Sequence, residues 1–167
     1  MSELRIRPET PADVPAIRAL TESAFRDMPH SDGDEHELVD HLRLDGDLIL
    51  SLVAEAENAV IGHIAFSPVT ISDGTKGWFG LGPVSVLPAR QGEGIGSRLI
   101  RRGIANMRVA GAKGLVLLGS NDYYPRFGFE HDPDLAYPGG PAEYFQRLVL
   151  AGEPPRGTVR FAPAFGD

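Results

Sequence analysis

Residues 91–97, Gln91-Gly92-Glu93-Gly94-Ile95-Gly96-Ser97, follow a strand-like run and open an apolar periodicity of helical spacing. A glycine-rich turn in that place leaves backbone N–H groups unpaired at the positive end of the helix dipole. A phosphate or pyrophosphate suits such a turn; a loop that serves only to make the bend is the alternative. A P-loop needs Gly-Lys-Ser/Thr after its glycines, and no Lys is present. The dinucleotide fingerprint needs a third glycine where Leu99 stands, and a βαβ unit rather than the antiparallel runs that precede it. His63 alternates with Ile61, Ala65 and Ser67 and could titrate near neutrality as a base; a hydrogen-bonded structural histidine is the other reading. His36 and His41 flank Glu37, yet i,i+5 spacing turns the second histidine about 140° from the first, so no metal site is expected.

The elements that must hold these residues can be read from periodicity. Residues 4–7 form a first strand, and Thr10-Pro11-Ala12-Asp13 is a helix start with a cap, a proline and a first-turn acid. Val14, Ile17, Leu20, Ala24 and Phe25 supply its apolar face. After a polar break at residues 29–33, a second helix spans 34–44 with Leu38, Val39 and Leu42 inward. Runs 48–55, 60–72 and 78–86, joined by Glu57-Asn58 and Asp73-Gly74, predict an antiparallel meander. A helix over 95–110 carries Ile95, Leu99, Ile104 and Met107 on one face, and 115–118 reads as a buried strand. Residues 144–150 and 158–161 are expected to pair with each other across Gly152-Glu153-Pro154-Pro155.

The loop and its surroundings resemble a known family. Gln91-Gly92-Glu93-Gly94-Ile95-Gly96 is similar to the Gln/Arg-x-x-Gly-x-Gly/Ala signature of the GNAT superfamily of acyl-CoA-dependent N-acetyltransferases. Tyr124-Pro125-Arg126-Phe127-Gly128-Phe129 resembles the family's Tyr-x-x-x-Gly-Phe element, and residues 118–129 resemble a YhbS-like group within it. The resemblance covers nearly the whole chain. It implies an α/β (α+β) fold, a central mixed and mostly antiparallel sheet flanked by helices, whose fourth and fifth strands splay apart. It further implies acetyl-CoA as co-substrate and transfer of its acetyl group to a primary amine of a small molecule or peptide, by direct attack in a ternary complex.

Site residues follow from the same resemblance. The amides of Gln91, Gly92, Gly94, Ile95, Gly96 and Ser97 would cradle the pyrophosphate, with Arg90 or helix arginines attracting the ribose phosphate. Val84 and Val86 would offer backbone groups to the pantetheine, and Pro83 removes one ladder donor nearby. Ser120 is carried with the cofactor residues. Tyr124 matches the family's general acid: a phenol with a pKa of about 10 is protonated at neutral pH and can donate to a thiolate of about 8.5. Tyr123 is read as packing, and the Val86 N–H as a partner for the thioester carbonyl. The base stays open among His63, Glu35, Glu37, His36, His41 and a water chain, because residues 81–86 lack the glutamate some relatives use there. A non-catalytic acyl-CoA-binding sensor of the same fold is the alternative function, and a nucleotide-binding module is a weaker one.

Composition sets outer limits. The chain has 167 residues, a formal charge of −7 and no cysteine, which excludes disulfides, thiolate metal sites and a cysteine nucleophile. One domain, residues 1–167, is expected, cytoplasmic and without a membrane segment or nucleic-acid partner; a homodimer is left open. Charge is segregated. Residues 27–47 hold Asp27, Asp32, Asp34, Glu35, Glu37, Asp40, Asp45 and Asp47 against Arg43 alone, while residues 88–113 hold five arginines and Lys113 against Glu93. The basic stretch suits an anion. The acidic helix is either a solvated face or, through Glu35 and Glu37, the mouth that receives a cationic amine.

Overall fold

The computed structural model describes residues 3–26, 28, 31 and 33–166. Apolar, partly β-branched runs build the central layer, a six-stranded sheet in the order β1-β2-β3-β5-β6-β8 whose inner strands are buried along most of their length. Its strands are β1 (Arg5–Pro8), β2 (Leu50–Ala56), β3 (Ala59–Pro68), β5 (Trp78–Val86), β6 (Gly114–Leu118) and β8 (Phe145–Val149). The first four form an antiparallel run, as the meander predicts, with Glu57 and Asn58 at positive φ in the tight β2–β3 turn. β6 then pairs parallel to β5, after the crossover helix α3 (Ile95–Val109), and β8 returns antiparallel to β6.

Helices cover both faces. Gly62, Ile64 and Phe66 of β3 point at α3, where Gly103 lets the helix settle on Phe66: a Cβ there would lie 2.5 Å from the ring. Leu99, Ile100, Ile104 and Met107 complete that core with Leu115, Leu117 and Phe129. The opposite face receives α1 (Val14–Phe25) and α2 (Glu35–Asp45), whose Ile17 and Val39 pack on Val53. At the start of α1, the Asp13 carboxylate accepts the Thr10 N–H at 2.7 Å and two hydrogen bonds from Arg7. The Arg7 contacts outweigh desolvation and hold the Asp13 carboxyl far below the usual carboxylate range.

Two expectations are corrected. The run 60–72 is not one strand: it divides at Val69, and the two-residue β4 (Thr70–Ile71) leaves the main sheet. The two C-terminal strands do not pair with each other either. β8 joins β6, whereas β9 (Gly157–Arg160) pairs with β4 and with β7 (Leu135–Ala136) in a second, three-stranded sheet. Val69, Ile71 and Val159 are buried there with Leu135, and they meet Trp78, Val116 and Phe145 of the main sheet. Burial of these side chains decides the pairing, and no local turn signal carries that information.

Candidate active site

β5 is the hinge of the site. It keeps β6 only over Trp78–Gly80, and from Leu81 onward the two strands part. Opposite Ala65, the register with β3 shifts so that Gly82 and Pro83 together face one residue, a bulge that bends the strand. Leu87 N–H donates to the Ile61 carbonyl at 2.9 Å, and in the alternation of an antiparallel ladder this turns Ser85 toward β3. Val84 and Val86 therefore direct their backbone groups at the open edge. The Val86 carbonyl accepts a hydrogen bond from Gln91 Nε2 at 3.1 Å, which leaves the Val86 N–H and both groups of Val84 facing the gap.

At one end of that edge lies a cleft of 340 Å³ lined by Val86, by Arg90 through Ser97 of the loop apart from Glu93, and by Tyr123 and Arg126. Gly92 and Gly94 adopt φ of 83° and 84°, left-handed positions where a side chain would be strained. Gly94 caps α3, whose first turn leaves the N–H groups of Ile95, Gly96 and Ser97 without intrahelical partners. The Gln91 N–H, by contrast, is turned back to the Pro88 carbonyl at 3.4 Å and does not face the cleft as a free donor. Arg90 lines the cleft, but its Nε is paired with Glu93 at 3.0 Å. Arg98, Arg101 and Arg102 are exposed along α3.

Tyr123, expected only to pack, takes part in this cleft. Its hydroxyl is hydrogen-bonded to Ser97 Oγ at 2.7 Å, and the Arg126 guanidinium stacks on its ring 4.5 Å from the centroid. Its position beside Tyr124 in the motif was the available signal. Ser120 lines neither the cleft nor the larger cavity. Its Oγ accepts the N–H groups of Asp122 and Tyr123, and its carbonyl accepts that of Tyr124, so it shapes the turn that presents both tyrosines.

At the other end of the edge is a cavity of 420 Å³, lined by Gly80 through Val84, Tyr124 and Glu35. Tyr124 begins the 3-10 turn Tyr124–Phe127, and its ring lies over Gly119, where a Cβ would come within 2.5 Å of it. Buried Gln146 anchors the same turn by donating to the Gly119 and Ser120 carbonyls at 3.1 and 3.3 Å. Burial, with a smaller contribution from Tyr123, pushes the Tyr124 phenol up to about 12. Glu35 reaches the cavity while bonded to Ser31 Oγ, whereas exposed Glu37 is not in its lining. Further along the helix, Asp40 pairs with Arg18 and Arg43, and Arg43 pairs with Glu9. Asp27 and Asp32 lie outside the described residues.

His63 is not placed to act as the base. It is fully buried between the sheet and α1, lines none of the clefts described, and its Nε2 is bonded to Ser51 Oγ at 2.7 Å. Desolvation outweighs the attraction of Glu9 and lowers its pKa from 6.5 to about 4. An unfolded chain takes up a proton here near pH 6.5 and the folded one only near pH 4, so stability falls as pH drops through that window, by up to about 3 kcal/mol. His63→Gln retains a partner for Ser51 and removes the titration. Urea denaturation from pH 7 to pH 4 is expected to show a shallower loss of stability in the variant than in the parent protein.

His36 is also buried, against Glu22 at 3.3 Å, and His41 is exposed on the far side of α2. Among the described residues, no group of three or more His, Asp or Glu could hold a metal ion. Nor is any described helix long and apolar enough to cross a membrane.

The arrangement of parted strands, glycine loop and tyrosine turn has counterparts in known proteins. The profile of the Acetyltransferase (GNAT) family matches residues 14–129. The chain belongs to the GNAT family of acetyltransferases. It is 40% identical over 139 residues to the uncharacterized N-acetyltransferase YhbS of Escherichia coli (strain K12), covering 80% of each chain. The crystal structure of a GNAT family acetyltransferase from Brucella melitensis in complex with acetyl-CoA superposes with a TM-score of 0.88 at 52% identity, over 98% of both chains. That of Escherichia coli YhbS in complex with CoA gives 0.90 at 34% identity, over 100% of this chain and 94% of the other. The GNAT strands usually counted fourth and fifth are β5 and β6 here, because the short β4 intervenes.

Proposed function

We propose that this GNAT acetyltransferase moves an acetyl group from acetyl-CoA to a primary amine by direct attack within a ternary complex. The observation that carries the reading is the open edge of β5, which joins an amide-lined cleft to a cavity holding a protonated tyrosine. Two similar proteins were solved with acetyl-CoA or CoA. The residues here fit that co-substrate: the amides of Gly92, Gly94, Ile95, Gly96 and Ser97 suit its pyrophosphate, and the edge at Val84 and Val86 suits its pantetheine amides.

Bound acetyl-CoA supplies an activated thioester. The chain's own residues hold and orient it, admit the amine from the opposite side and manage protons. The ammonium first gives up one proton to water at the cavity mouth, because only the neutral amine has a lone pair with which to attack; His63, sealed in the core, takes no part. The nitrogen then bonds to the carbonyl carbon, the carbon–sulfur bond breaks, and Tyr124 Oη gives its proton to the departing sulfur. The phenolate, whose conjugate acid lies at about 12, takes back through water the second proton that the nitrogen releases. Val84 lines the cavity that holds Tyr124 whereas Val86 lines the loop cleft, so the Val84 N–H, rather than the Val86 N–H expected from the sequence, is the donor for the developing oxyanion, and such donors contribute on the order of 10²–10³ in rate.

Calorimetry with acetyl-CoA, ATP and NAD, together with release of free CoA across an amine panel, tests this reading. Binding of acetyl-CoA alone among the three, with amine-dependent CoA release, is expected. Absence of acetyl-CoA binding overturns the reading. Binding without release from any amine favours the non-catalytic sensor.

A further inference from the structure

The acceptor cavity has a chemistry of its own. Three of its walls come from segments far apart in the chain: Phe25 at the end of α1, Tyr137 after β7, and Phe161 and Phe165 beyond β9. With Tyr124 they make five rings around one space. Tyr137 stands edge-on to Phe161, centroids 4.9 Å apart at 84°, and Phe165 tilts against Phe161 at 5.3 Å. None of these rings is fully buried, and Met28 and Leu118 in the same lining are 47% and 41% exposed. The fold thus leaves apolar surface uncovered on the inside of a concavity, which a ligand's own apolar group would cover.

The polar inventory is as selective. Among the described lining residues Glu35 is the one carboxylate, and no Lys, Arg or His lines the cavity. A carboxylate or phosphoryl group on the acceptor would be desolvated without a counter-ion and beside a like charge. A second or third ammonium would find no further carboxylate among the described lining residues. A single ammonium on an aromatic body meets neither penalty. Edge-to-face rings offer both ring edges and ring faces to an incoming ring.

We infer that the acceptor is an aryl-alkyl primary amine, its ring held by Phe161, Phe165 and Tyr137 and its ammonium held by Glu35. The inference rests on the acetyl-transfer reading for its chemistry, but not for the binding it requires.

The probe is 2-phenylethylamine, compared with ethylamine, spermidine and a short lysine peptide. Binding is followed by calorimetry on the full chain with CoA present, and turnover by CoA release from acetyl-CoA. Burial of one ring is worth on the order of 10- to 100-fold, so kcat/KM for 2-phenylethylamine is expected to exceed that for ethylamine by that factor. Phe165→Ala, at a partly buried ring outside the buried core, and Glu35→Gln are each expected to weaken 2-phenylethylamine binding by about 10-fold. The inference is overturned if 2-phenylethylamine binds no better than ethylamine, or if neither variant weakens it. Turnover of spermidine or the lysine peptide in preference to 2-phenylethylamine also overturns it, while leaving acetyl transfer standing. Variant-sensitive binding of 2-phenylethylamine without CoA release supports the ligand class and defeats the transfer reading instead.

Discussion

Tyr124→Phe is expected to lower kcat by about 10²–10⁴-fold, the range removed with a positioned general acid, while acetyl-CoA affinity and melting temperature stay close to those of the parent. The separation of these effects follows from the surroundings of the hydroxyl. The ring is fixed by Phe127 and Phe129 and by the close approach over Gly119, all of which a phenylalanine preserves. Its upward pKa shift comes from burial and from Tyr123, with no hydrogen bond contributing, so removal of Oη orphans no partner among the described residues. The same shift sets the pH behaviour. With the phenol at about 12, Tyr124 stays protonated through the whole range in which a free tyrosine would ionise. The kcat profile should therefore show no falling limb from this group below about pH 11. A fall centred near pH 10 that disappears in Tyr124→Phe would mean the hydroxyl is far more solvated than its cavity suggests. An unchanged kcat in Tyr124→Phe would remove it from proton transfer altogether.

Gly94→Val is expected to weaken acetyl-CoA binding by roughly 100-fold or more. Gly94 sits at φ 84° with open space where a Cβ would go, so the substitution is not blocked by packing. It fails on the backbone. A β-branched residue in the left-handed region costs about 1–2 kcal/mol, and relief of that strain rotates the peptide units that aim the loop amides into the cleft. Two misdirected amides, each worth about 1.5–3 kcal/mol against a charged ligand, account for the loss. Gly46→Val separates strain from binding. Gly46 caps α2 at φ 77°, also with open space beside it, and lines neither the cleft nor the acceptor cavity. It should lose similar stability and keep its acetyl-CoA affinity. Equal affinities in the two variants, measured by calorimetry, would contradict a role for the loop amides.

The parts of the site that could be read from the chain are those built from neighbours in sequence. The strand, the glycine turn and the helix that follows are contiguous, so spacing carries their geometry, and the meander is written in apolar runs separated by turn residues. Val84 and Val86 come from the family resemblance, by their position before the loop. What failed was non-local. Alternation places His63 on a face of β3 without saying what covers that face, and the cover is α1 with Ser51 beneath, not a substrate channel. The acidic run divides: Asp40 pairs with Arg18 and Arg43, which are not part of the cavity, while the mouth reading rests on its first turn. Only Glu35 of the two candidate glutamates turns to the cavity. The aromatic wall was invisible for the same reason. Phe25, Tyr137 and Phe161 are scattered among other apolar residues, and it is the pairing of β7 with β9 that brings Tyr137 to Phe161.

That small sheet also makes the two halves of the site unequally dependent on long-range contacts. The cleft is lined by residues from one stretch, 86–126. The cavity draws on residues from 25 to 165, and part of its aromatic wall follows β9, which two residue pairs hold to β4 and two more to β7 around buried Val159. A substitution that loosens this sheet is therefore expected to disturb the acceptor side of the site before the acyl-donor side.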